Sequence, residues 1–211
     1  MPTGRRRSLA ALVLMLASAC SRTTSRGELA PPAGAAAWDQ RLGVVFDDGV
    51  TGVPVQLVGR APIDVMDQRR FSQRLGYADL VVLMKVDQVW SRGLYGGVPG
   101  QRLDVTLGKV LLGELPKQTR LAQVVQLRSA AGDPLPSALT GQVMLLFVRW
   151  APGETPAYHH HVMPADSEAI TVIEAMVRHA RAEGKLPGEG AKARASRRER
   201  RRAARAEKTA S

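Results

Sequence analysis

The chain has 211 residues, 45% hydrophobic and only 4% aromatic, with a formal net charge of +11 and a single cysteine. Arg5, Arg6 and Arg7, together with nine Lys or Arg against two Glu in residues 192–208, hold all but one of those net charges. The nearly neutral middle offers no basic face for cytosolic nucleic acid, and one cysteine excludes an internal disulfide.

Residues 1–20 read MPTGRRRSLAALVLMLASAC. Three arginines precede an unbroken small and apolar run, residues 9–19. As a helix at ~1.5 Å per residue this run is roughly 16 Å long, too short for a hydrocarbon core of about 30 Å. A charged start, a short apolar stretch and small residues before a cut mark a secretory signal. Residues 16–20 (LASAC) resemble the lipobox of bacterial lipoproteins. The resemblance implies that residues 1–19 are a signal peptide and that Cys20 is the lipid-attachment site. Its thiol then receives a diacylglycerol, the chain is cut before it, and its new amine is acylated. Stable anchoring takes more than one acyl chain, and the mature form carries three. Ser21, in place of Asp, implies transfer to the outer membrane in envelopes that have two membranes.

Residues 21–37 are small, polar and rich in Pro and Gly, so 20–37 reads as a lipid-anchored flexible tether and order is expected from Trp38. Residues 42–46 and 53–58 are apolar runs, and Asp47-Asp48-Gly49 between them reads as a hairpin turn. Asp64 is placed to cap a helix over residues 65–75, with Gly76 to end it. In residues 79–90 the even positions Leu80, Val82, Met84 and Val86 define the buried face of a strand. Residues 91–101, with four glycines, read as a loop. Residues 102–112 form a second strand. Leu103, Val105 and Leu107 share one parity and Val110 and Leu112 the other. A one-residue bulge at Gly108-Lys109 keeps both groups facing inward and bends the strand. Residues 121–128, 143–148 and 158–163 complete five strands. Asp166 or Ser167 caps a helix, 167–183, whose stripe is Ile170, Ile173, Met176/Val177 and Ala180. Gly184 stops it. Residues 187–211 have no apolar period and read as a disordered basic tail.

Five strands, the second one bulged, followed by a helix predict one domain over residues 38–186. It is mainly β with flanking helices, in the α+β class: a small five-stranded OB-like barrel with a C-terminal helix. YADLVVLMKVDQVW (77–90), VTLGKVLLGELP (105–116) and GQVMLLFVRW (141–150) resemble the netrin-like, or tissue-inhibitor-of-metalloproteinase-like, domain as it occurs in bacterial proteins. The likeness covers residues 77–163. It implies fold more than function. The inhibitors chelate a protease zinc through a free N-terminal Cys pinned by disulfides. Here the Cys20 amine would be acylated, a tether would separate it from the barrel, and no second cysteine exists to pin it.

No G-x-S-x-G, P-loop, H-E-x-x-H or C-x-x-C motif is present. The glycines of residues 93–100 join two strands, and their functional reading is a binding loop presenting Leu94, Tyr95 and Val98. Asp47 and Asp48 fit a turn, and Asp166 and Glu168 fit a helix start. That leaves the triplet in AYHHHVMPAD (157–166). Strand alternation sets Tyr158, His160 and Val162 on the core side, and His159, His161 and Met163 outward. His159 and His161 then stand about 6.6 Å apart. They are candidate metal ligands, with Asp166 or Glu168 as further donors, but two ligands do not make a zinc site. No cofactor and no catalytic residue is assigned. The expected function is a non-enzymatic, lipid-anchored envelope lipoprotein that binds or organises an envelope protein or polymer. The rivals are a metal-binding protein or metal-dependent enzyme using His159 and His161, and adhesion to anionic lipid or polysaccharide through the basic tail.

Overall fold

Alternation in residues 80–89 builds the central strand. In the computed structural model, which describes residues 29–95, 98–129 and 134–186, β2 (Leu80–Val89) buries Leu80, Val82, Met84 and Val86 on one face. It lies between β4 (Val98–Leu112) and β6 (Val143–Trp150), antiparallel to both. β7 (Tyr158–Pro164) pairs antiparallel with β6, and the two-residue β1 (Gly49–Val50) joins β7 in parallel. On the far side, β4 carries both β3 (Gly93–Tyr95) and β5 (Val124–Ser129). The result is one curled seven-stranded sheet, a half-barrel, with two helices. All five expected strands are present. The two additional ones are short.

The bulge stands where the parity change places it. Met84 faces Leu107 but Val82 faces Val110, so β4 holds one extra residue at Gly108-Lys109. An added Cβ at Gly108 would meet Leu83 O at 3.1 Å, a close approach that favours glycine. Val110 thereby stays with Leu103, Val105 and Leu107 on the concave face. A second shift, between Val82 and Val81, sends Leu112 to the convex face beside Leu111, against the expectation that it faces inward with Val110.

Two cores result. The concave one gathers side chains from β2, β4, β5, β6 and β7. The convex one sets Val81, Leu145, Phe147 and Met163 beneath two helices. α1 (Pro62–Tyr77) contributes Phe71 and Leu75, with Phe71 edge-on to Phe147 at 6.0 Å. α2 (Ser167–Ala182) contributes Ala169, Ile173 and Val177. β6 is covered on both sides, which explains its continuous apolar run. Asp166 caps α2 by accepting the Ala169 N–H at 2.8 Å, and Gly184, at φ +72°, ends it. Met176 of the expected stripe is exposed.

Other expectations change. Residues 42–46 and 53–58 do not form a hairpin. Gln40–Val44 winds a 3₁₀ turn, residues 53–58 are irregular, and Val44, Val53 and Val58 are exposed. Residues 53–57 do alternate, and Val55 and Leu57 pack on the convex core, but Pro54 has no N–H to give a sheet ladder. Asp64 is the third residue of α1, not its cap. It accepts the Ala61 N–H at 3.2 Å, and Gly76 lies within the last turn. Part of the expected loop 91–101 is the hairpin of β3 and β4. Burial begins earlier than Trp38, because Leu29 is 1% exposed within the concave core. Residues 1–19, Cys20, the first part of the tether and the tail 187–211 lie outside the described residues. No described helix is long and apolar enough to cross a membrane.

Candidate functional site

β7 divides its side chains as alternation demands. His160 sits on the concave side, its ring 5.9 Å from that of Tyr158, while His159 and His161 share the convex side. That convex side is not open to water. His161 is 3% exposed, and only the edge of His159 reaches solvent. The expectation of an outward-facing pair is therefore corrected: irregular chain around Trp38 and Leu42, residues 45–57 and α1 pack over this face.

β1 is the element that organises the site. Its register sets Gly49 beside His161 and Val50 beside Val162. The Asp48 N–H donates to His160 O at 2.9 Å, and the Thr51 N–H donates to Val162 O at 2.8 Å. Asp48 adopts φ +53°, a left-handed conformation that Asp and Asn tolerate better than most residues. Its Oδ1 accepts the His160 backbone N–H at 2.9 Å, and its Oδ2 lies 3.0 Å from His159 Nδ1. Asp47 Oδ1 lies 2.8 Å from His161 Nδ1 and accepts the Gly49 N–H at 3.1 Å. Glu154 Oε2 reaches His159 Nε2 at 2.8 Å, and Trp38 stacks on that ring with centroids 4.1 Å apart. Three carboxylates thus meet three imidazoles along one strand.

Burial pulls the Asp47 carboxyl upward, but the hydrogen bond and charge of His161 hold it below its ordinary range. Burial likewise opposes ionisation of Asp48, and the nearby His160 ring, together with the His160 backbone N–H that Asp48 accepts, outweighs this and lowers it. Burial depresses His161, with the charge of Arg74 adding to the effect and the hydrogen bond to Asp47 opposing it. His161 is therefore neutral at neutral pH. Its partners then define the tautomer. Nδ1–H donates to Asp47, and Nε2 accepts the Thr51 hydroxyl at 3.1 Å. Asp47, His161 and Thr51 stand in the carboxylate–imidazole–hydroxyl order that can move a proton off a hydroxyl.

The other two rings are used differently. A neutral His159 has one N–H for two carboxylates, so it can donate to only one of them at a time. His160 Nδ1 lies 3.1 Å from Asp48 Oδ1 but out of line for a hydrogen bond, and its buried Nε2 has no partner among the described residues. As metal ligands His159 and His161 are poorly disposed, since the ring nitrogens of each already meet oxygen partners. Asp166 is engaged at the α2 cap and Glu168 is exposed in its first turn. Among the described residues no group of three His, Cys, Asp or Glu is arranged to hold a metal ion.

Asp47, Asp48, Thr51, Glu154 and Trp38 are the partners that sequence reasoning missed. Asp47-Asp48-Gly49 was visible as a turn, but its pairing with a strand over a hundred residues away leaves no local pattern. A scan against protein-family models and a search of the curated proteins find no match to this chain.

Proposed function

We propose that the protein is a lipid-anchored lipoprotein of the bacterial cell envelope, at the outer membrane, whose OB-like, netrin-like domain binds an envelope protein or polymer without catalysing a reaction. The observation that carries this reading is LASAC at residues 16–20, a short distance ahead of a folded domain. Eight residues, nine Cα-to-Cα steps, separate Cys20 from the buried Leu29. At ~3.3–3.6 Å per step these nine steps span at most about 30 Å, so the domain works close to the membrane surface. The OB-like description rests on five longer strands, a bulged β4 and a concave apolar core. Feeding cells an alkyne analogue of palmitate tests the anchor. Label is expected on the wild-type chain and absent from Cys20→Ala. Label retained by Cys20→Ala would overturn it.

A second reading follows from the order Asp47–His161–Thr51: Thr51 as a nucleophile in acyl transfer, with His161 as its general base. Hydrolysis of an activated ester such as p-nitrophenyl acetate, compared between wild type and Thr51→Val, separates the readings. A rate that depends on Thr51 favours the enzyme. Equal rates leave the binding domain.

A further inference from the structure

A cavity of about 100 Å³ lies between α1 and residues 51–55, with Thr51, Asp67, Arg70, Arg74 and His161 in its lining. Arg74 is 7% exposed, a costly position for a guanidinium without an ionic partner. Its Nε donates to Val45 O at 2.9 Å, the one hydrogen bond of its guanidinium among the described residues. The two Nη groups supply four further N–H donors, and no protein acceptor takes them there. Arg70 precedes Arg74 by one helical turn, so the two share a face of α1 and repel each other. Arg70 is exposed and makes no ion pair among the described residues. Burial already disfavours the charge of Arg74. Asp47 and, more weakly, Asp67 offset this through space, and Arg70 adds to it.

Two guanidinium groups thus line a small cavity against one carboxylate, Asp67, and the Arg74 Nη donors have no protein acceptor among the described residues. We propose that this cavity binds a small oxyanion, the phosphate, sulfate or carboxylate group of a ligand, between Arg74 and Arg70. Planar guanidinium forks match two oxygens of such a group at once. Asp67 in the same lining opposes the anion, so both arginines are needed to outweigh it. His161, neutral and already bonded to Thr51 and Asp47, shapes the wall and adds no charge at neutral pH. The site is a property of the folded domain and stands whether or not Cys20 carries lipid.

Titrating the full chain, as Cys20→Ser to keep it soluble, with inorganic phosphate, sulfate or acetate at constant ionic strength tests the site. The arginine Nε–H and histidine ring signals in NMR are the readout. Saturable shifts at Arg74 and His161 are expected. Arg74→Gln should weaken binding by at least about tenfold, as the loss of a buried charge-assisted contact does. Arg70→Gln, at an exposed position that leaves the fold intact, should weaken it about two- to fivefold. Saturation by acetate alone assigns a carboxylate ligand, and saturation by phosphate or sulfate a tetrahedral one. Vesicles of phosphatidylglycerol separate the sources. Vesicle binding that Arg74→Gln weakens and free phosphate displaces assigns a lipid headgroup, and phosphate saturation with vesicle binding unchanged by Arg74→Gln, as the basic tail alone would give, assigns a soluble ligand. Linear, unsaturated shifts with all three anions overturn the proposal. So do saturable shifts that Arg70→Gln leaves unchanged.

Discussion

Replacing Asp48 by Asn asks whether one carboxylate fastens β1 to β7. The exchange keeps size, and Asn tolerates the φ of +53° as Asp does, so the backbone is not newly strained. Asn can still accept the His160 N–H. What is lost is the charge in that 2.9 Å bond and in the 3.0 Å contact to His159. Hydrogen bonds to charged groups contribute about 1.5–3 kcal/mol. The Asp48 side chain is 29% exposed, which places the loss near the lower half, about 2 kcal/mol. For a chain of this size that lowers Tm by about 4–8 °C. Asp48→Ala should cost about 1 kcal/mol more, because alanine is strained at positive φ. Thermal unfolding at pH 7, followed by far-UV circular dichroism and tryptophan fluorescence, reads both variants. Asp48 is depressed in the fold, so its stabilisation is present above its unfolded value of about 3.9 and fades as pH falls through the folded value. The gap between Asp48→Asn and wild type should therefore close in acid. A D48N variant as stable as wild type at pH 7, or a gap that persists in acid, would refute the reasoning.

His161 titrates in the same sense from a different window. Its folded value lies below 6.5, so above that pH it contributes no slope, and below it the unfolded chain takes up a proton that the fold resists. Stability should fall by up to about 1.4 kcal/mol per pH unit on acidification from pH 6.5, and His161→Gln should flatten a Tm-against-pH series there. Leu29→Ala should cost about 2–4 kcal/mol in urea unfolding, as a core truncation does, whereas a residue in a loose tether would cost nothing measurable. Gly113 sits at φ +78°, where an added Cβ would collide with the Asp79 carbonyl oxygen, so Gly113→Ala should yield little folded protein by circular dichroism. Deleting residues 190–211 should abolish salt-sensitive binding to anionic vesicles in a sedimentation assay; unchanged binding would remove the tail as its cause.

Regular elements were legible where the chain states its period. The even positions Leu80 to Val86 hold one buried face, the parity change at Gly108-Lys109 is a real bulge, and Asp166 and Gly184 bracket α2. The site was legible only by half. Alternation correctly separated His160 from its neighbours, because that is a property of the strand itself. Whether a face is wet depends on what covers it, and here the cover is irregular chain with no periodicity to read. β1 has two residues, too few for any pattern, yet its parallel register brings Asp47, Asp48 and Thr51 to the histidines. Arg74 was hidden for a related reason. Helical spacing puts Arg74 on the stripe of Phe71 and Leu75, but an arginine on so polar a helix reads as a boundary residue until the chain packed over it is known.

Leu29, lodged in the concave core, shortens whatever lies between lipid and domain to an eight-residue leash. If Cys20 is acylated as proposed, the domain samples only a thin shell above its leaflet. A partner held in the same shell then meets it at an effective concentration in the millimolar range. Weak intrinsic affinity suffices under those conditions. The oxyanion cavity, bounded by two arginines and opposed by one carboxylate, is the kind of modest site that such confinement makes useful.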